Sequence, residues 1–99
     1  MPCEVFVKDR MPLFGDLHVH TALSLDANTQ GTLNTPDDAY RYAKGQSLYL
    51  QPYKADGTGV RKSQLNQPLD FAAVTDHAEL LGEVRMCSDV GSSKYSSLQ

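Results

Sequence analysis

The chain has 99 residues, 40% of them hydrophobic and 21% charged, with a net charge of −3, the composition of one small globular unit or a piece of a larger one. Nine Lys plus Arg against twelve Asp plus Glu leave no basic stripe to neutralise phosphates, so no nucleic acid partner is expected. Apolar runs fall far short of the roughly 20 residues of a membrane helix, and residues 1–12 carry charges where a signal peptide is apolar. No membrane and a cytoplasmic location are the resulting expectations. The two cysteines, Cys3 and Cys87, form no CxxC pair, and each reads as an idle or buried thiol.

The first predicted element is Leu13-Phe14-Gly15-Asp16-Leu17-His18-Val19-His20. Leu17 and Val19 alternate with Asp16, His18 and His20, which is the period of a strand. From Thr21 to Thr35 small polar residues read as an irregular loop. A helix is then predicted from Thr35, with Thr35 as N-cap, Pro36 in the first helical position and Asp37 and Asp38 facing the positive end of the dipole. It runs through Lys44 and stops at Gly45. Leu48-Tyr49-Leu50 and Val60 to Leu65 flank an Asp56-Gly57 turn and read as a hairpin. Phe71 to Thr75 is a short apolar run of the kind covered on both faces in a parallel sheet. Ala78 to Met86 reads as a helix with Leu80, Leu81 and Val84 on one side, and the serine-rich end reads as a loop. The order strand, helix, insertion, strand, helix is the start of a parallel α/β sheet.

All three histidines fall in two motifs, Asp16-Leu17-His18-Val19-His20 and Thr75-Asp76-His77, and each motif closes a predicted strand. Residues two apart on a strand share a face about 6.6 Å apart at the backbone, and two imidazoles at that spacing can meet on one ion. Asp16 shares that face and can touch the ion or hold a ring by its second N–H. An HxH pair alone arises often by chance. A second His-bearing motif at the carboxyl end of a neighbouring parallel strand, where ligand sites form, makes chance the poorer account.

Gly15-Asp16-Leu17-His18-Val19-His20-Thr21, then Ser24-Leu25-Asp26, then Ala73-Val74-Thr75-Asp76-His77 resemble the first two motifs of the PHP superfamily, the polymerase and histidinol phosphatase type of phosphoesterases. Pro36 to Arg41, Pro68 to Glu79 and Leu81-Gly82-Glu83 resemble a PHP-like family within it, domain-of-unknown-function family 3604. The resemblance covers residues 13 to about 87 and implies a distorted, TIM-like β/α barrel with two or three zinc, manganese or iron ions at the strand ends. It implies metal ligands at His18, His20, Asp26, Asp76 and His77, support from Asp16, and a pocket-lining or helix-start role for Glu79. Ser24 and Thr21 read equally as capping, substrate-binding or idle residues. Later PHP motifs are missing, and a barrel needs roughly 200–250 residues. Residues 1–12 are therefore read as an N-terminal extension. Residues 13–99 are read as the first β/α units, with a hairpin-like insertion, of an incomplete domain in a longer protein.

The expected function is that of a metal-dependent hydrolase using metal-activated water on a small phosphate ester, the 99 residues alone being expected to be inactive. Two alternatives stay open: an amidohydrolase-like enzyme cutting a C–N or C–O bond, and a non-catalytic remnant whose exposed sheet edge binds a partner or nothing.

Overall fold

The computed structural model describes residues 8–88 of the chain, so the serine-rich end beyond Ser88, and Cys3, lie outside the described residues. Its elements are β1 (Gly15–Val19), α1 (Leu25–Thr29), α2 (Pro36–Ala43), β2 (Leu48–Leu50), β3 (Arg61–Ser63), β4 (Phe71–Val74) and α3 (Glu83–Ser88). They form a mixed α/β structure with two separate two-stranded sheets, parallel β1–β4 and antiparallel β2–β3. No barrel is closed among the described residues. No described helix is long and apolar enough to cross a membrane.

The parallel pair is set by its own side chains. Gly15 stands opposite Phe71 and Asp16 opposite Ala72, and a Cβ at Gly15 would overlap both the Phe71 ring and its carbonyl oxygen. Only glycine admits that approach. Asp70 extends the pairing by one rung: its Oδ2 accepts the Phe14 N–H at 2.8 Å, and its own N–H donates to the Phe14 carbonyl at 2.7 Å. Further along, Val19 pairs with Val74, so β1 spends one residue more than β4 between the two rungs. That bulge interrupts the period-two alternation expected of β1, yet the His18 and His20 rings lie side by side as expected.

α2 forms as its sequence dictates. The Thr35 hydroxyl accepts the Asp38 N–H while the Asp38 carboxylate accepts the Thr35 N–H at 2.9 Å, closing a capping box. Gly45, at φ 103°, takes the left-handed backbone that ends the helix. The Thr35 backbone N–H, and then its hydroxyl and Arg41, hold the Asp38 carboxyl below its usual range. A depressed carboxylate stabilises the fold above the ordinary carboxylate range, and that contribution is lost as pH falls through the lowered value. Thr35→Ala should therefore cost about 1 kcal/mol in urea melts at neutral pH. The gap to the wild type should narrow in acid, where both proteins have lost the Asp38 contribution. A gap that widens in acid would contradict this assignment.

Two tyrosines tie α2 to both sheets. The Tyr40 hydroxyl accepts the Val74 N–H at 3.0 Å, occupying the outer edge of β4, and the Tyr42 hydroxyl pairs with Ser63 Oγ at 2.8 Å. Between these contacts lies a cavity of about 530 Å³ lined by residues such as Val19, Tyr42, Leu48, Leu65 and Val74. The apolar cover expected on both faces of the parallel pair is incomplete among the described residues: Ala72, Ala73 and Val74 are partly buried, but Leu17 is 66% exposed, and Phe14 and Phe71 are also exposed. The tightest packing is elsewhere. It lies in the turn after β1, where Thr21, Ala22 and Ser24 are buried.

Two local expectations are corrected. The loop after Thr21 contains the short helix α1. The helix expected from Ala78 begins only at Glu83, because the chain first turns through left-handed backbone at Leu80 (φ 55°) and Gly82 (φ 75°). The Gly82 N–H is then free to donate to the Leu23 carbonyl at 2.9 Å, which pins this turn against the segment before α1. Cys87, within α3, is a free and exposed thiol rather than a buried one.

Candidate metal centre

Because β1 and β4 run parallel, their carboxyl ends meet at one edge, and the chain continues from both into the same space. The Thr75 N–H donates to the Val19 carbonyl at 2.7 Å, and the Val19 N–H donates to Thr75 Oγ1 at 3.1 Å. Just beyond, Thr21 grips Asp76: its N–H donates to Oδ1 at 2.5 Å and its hydroxyl to Oδ2 at 2.8 Å. This pair of hydrogen bonds between the two loops puts the residues on either side of it, His20 and His77, ring against ring with centroids 4.7 Å apart.

Asp26, in the first turn of α1, closes the group. Its Oδ2 lies 2.7 Å from His20 Nδ1 and 3.4 Å from His77 Nε2. Its Oδ1 accepts the Ser24 hydroxyl and the Ala27 N–H, each at 2.7 Å. The Ser24 hydroxyl, then the His20 ring and the Ala27 N–H, hold the Asp26 carboxyl far below the usual carboxylate range against the opposing effect of desolvation. Asp26 is therefore an anion that only accepts hydrogen bonds, and the 2.7 Å contact puts the proton on His20 Nδ1.

His20, Asp26 and His77 each offer one ligand atom, and these atoms lie within 4.8 Å of one another. Two donors on one tetrahedral ion stand about 3.3 Å apart. The Asp26–His77 separation of 3.4 Å already matches that distance, whereas the 2.7 Å Asp26–His20 contact is a hydrogen bond that an ion would replace, with loss of the Nδ1 proton. Two imidazoles and a carboxylate are a donor set suited to zinc, manganese or iron. The residues fit a divalent ion.

The other residues singled out in the sequence stand differently. His18 stacks on His20 with ring centroids 4.7 Å apart but is exposed, lies in the bulged stretch of β1, and is outside the three-residue group. Asp76 is outside it too, both oxygens being taken by Thr21. Asp16 supports the His18 main chain and not a ring, its Oδ1 accepting the His18 N–H at 2.8 Å. Glu79, well exposed, lies 3.7 Å from His77 Nδ1. Ser24 and Thr21 emerge as the buried hydroxyls that join the two loops. Their only sequence signal was small hydroxyl residues at fixed offsets from His20 and Asp26.

A parallel α/β pair with histidines and an aspartate gathered at its carboxyl edge defines an α/β chain with a strand-end polar centre. The chain belongs to the family described as "Protein of unknown function (DUF3604)", which matches residues 7–99. No curated protein and no solved structure matches it.

Proposed function

We propose that this chain carries part of the metal centre of a PHP-type metal-dependent hydrolase, a phosphoesterase. β1, α2 and β4 are read as the opening units of its β/α barrel. The observation that carries the reading is the convergence of His20, Asp26 and His77 within 4.8 Å at the carboxyl edge of two parallel strands, the edge where barrel enzymes place their sites. The superfamily resemblance of the sequence blocks around these same residues supports it. His20, Asp26 and His77 are the residues that would hold a zinc, manganese or iron ion, the complete centre taking two or three. A bound divalent ion supplies Lewis-acid polarisation of a phosphoryl oxygen and activates water.

The chain's own part is to present one carboxylate and two imidazole rings in one place. Asp26 would offset the charge of an ion and, before one binds, orients the His20 ring through the hydrogen bond at Nδ1. His77 is half exposed, which leaves the open side of the group to a small phosphate ester. The Thr21–Asp76 clamp keeps the two strand ends from parting as charge develops between them.

Zinc or manganese titration of the chain by calorimetry tests the reading. Wild-type chain is expected to bind the ion, and His20→Ala and His77→Ala to lose that binding with the far-ultraviolet spectrum kept. In the full-length protein the same substitutions should abolish phosphate-ester hydrolysis. Equal metal binding by wild type and both variants would rule the centre out.

A further inference from the structure

We propose that Ser24 is the positioning residue of this centre, its buried hydroxyl turning Asp26 and His77 toward one another before any ion arrives. The inference rests on the metal-centre reading above and adds to it a residue that touches no ion.

Ser24 is 0% exposed, whereas the side chains it serves, Asp26 and His77, are 44% and 50% exposed. Half-exposed side chains keep one rotamer only when something fixes them. Ser24 holds the N-cap position of α1, with extended backbone (φ −83°, ψ 134°), yet its side chain makes no capping bond. Serine at that position normally accepts an N–H of the first turn. Here the hydroxyl is committed elsewhere: it accepts the His77 N–H at 2.9 Å and donates to Asp26 Oδ1 at 2.7 Å.

The direction of both bonds is forced. A main-chain N–H can only donate and an ionised carboxylate can only accept, so the hydroxyl proton has one place to go. The consequence falls on Asp26. With Oδ1 taken by Ser24 and by the Ala27 N–H, Oδ2 is the oxygen left over, and it faces His20 Nδ1 and His77 Nε2. The same hydroxyl fixes the main chain of His77 against α1, across 53 positions of sequence. One oxygen atom thus sets the carboxylate's rotation and the distance from it to the second ring. Without it, Asp26 is free to turn to water, and His77 loses its tether to the Asp26 side of the group.

The test compares Zn²⁺ affinity, by calorimetry on the full chain, among wild type, Ser24→Ala, Ser24→Thr and Asn28→Ala, with His20→Ala as a non-binding reference. Asn28, in α1, donates its side-chain N–H to the Ala22 carbonyl of the same buried turn at 3.0 Å, so its loss loosens the turn without removing a bond to Asp26 or His77. Ser24→Ala is expected to weaken Zn²⁺ binding roughly 10- to 100-fold, the usual effect of losing a partner that orients a ligand. It should also change the visible absorption of bound Co²⁺, which reports the ligand geometry directly. Ser24→Thr keeps the hydroxyl and should recover part of both, and Asn28→Ala should leave both near wild type.

If Ser24→Ala binds like wild type while His20→Ala does not bind, the positioning role is overturned and the metal centre stands. If Asn28→Ala weakens binding as much as Ser24→Ala, Ser24 serves only the fold of the turn, and the proposal is again overturned. If wild type binds no better than His20→Ala, the centre itself fails and takes the proposal with it.

Discussion

Asp26→Asn is expected to remove most of the chain's affinity for zinc or manganese while leaving it folded, though less stable than wild type because the hydrogen bond from His20 to an anion is lost. The side chain keeps its shape, and the amide oxygen still accepts from the Ser24 hydroxyl and the Ala27 N–H, the two bonds that hold Oδ1. What changes is the other position, which now presents an NH₂ group toward His20 Nδ1 and His77 Nε2 in place of an anionic oxygen. An amide nitrogen does not ligate a divalent ion, and the group loses its one negative charge. The loss in affinity should exceed the roughly 10- to 100-fold of a residue that only orients a ligand. Calorimetric titration measures it, with thermal unfolding as the check on the fold. Wild-type affinity in Asp26→Asn would remove Asp26 from the ligand set.

Local signals in the sequence were read well where local chemistry decides the structure. The helix at Pro36 follows from a hydroxyl, a proline and a carboxylate at adjacent positions, and the capping box that results is closed within four residues. The two strands before the histidine motifs follow from the alternation around Leu17 and Val19 and from the short apolar run at Phe71, and their parallel pairing puts His20 and His77 at one edge. The residues that escaped are those whose role depends on partners far along the chain. Ser24 bonds His77 across 53 positions and Thr21 bonds Asp76 across 55, and nothing in either residue's own neighbourhood announces such a partner. α1 spans five residues, too few for a helical period to show. The helix expected from Ala78 was misplaced because leucine rarely takes positive φ, so the turn at Leu80 has no signature in its residue type. The bulge in β1 is equally silent; His18 lies in that stretch with its ring against His20, outside the group of His20, Asp26 and His77.

Asp76 decides between the role implied by the family resemblance and the one its contacts display. As a ligand it would lend an oxygen to an ion; as a clamp it spends both oxygens on Thr21. Asp76→Ala cannot separate the two, because it destroys both. Thr21 is 1% exposed, so its N–H and hydroxyl would be left beside a void with little water to replace the carboxylate. Bonds to a charged group contribute about 1.5–3 kcal/mol each, and the two are not additive, so a loss of about 3 kcal/mol in urea melts is expected. Metal binding should fall with the fold. Asp76→Asn is the informative variant. Its amide oxygen can accept the Thr21 N–H and its NH₂ can donate to Thr21 Oγ1, leaving the hydroxyl proton as the one group without its acceptor. The clamp survives at a cost of about 1 kcal/mol, and the strand ends stay together. If Asp76 is only a clamp, Asp76→Asn should bind zinc as wild type does, in contrast to Asp26→Asn. If Asp76→Asn instead loses zinc as fully as Asp26→Asn while remaining folded, the carboxylate must leave Thr21 to hold an ion, and the arrangement described here is the form the centre takes before metal binds.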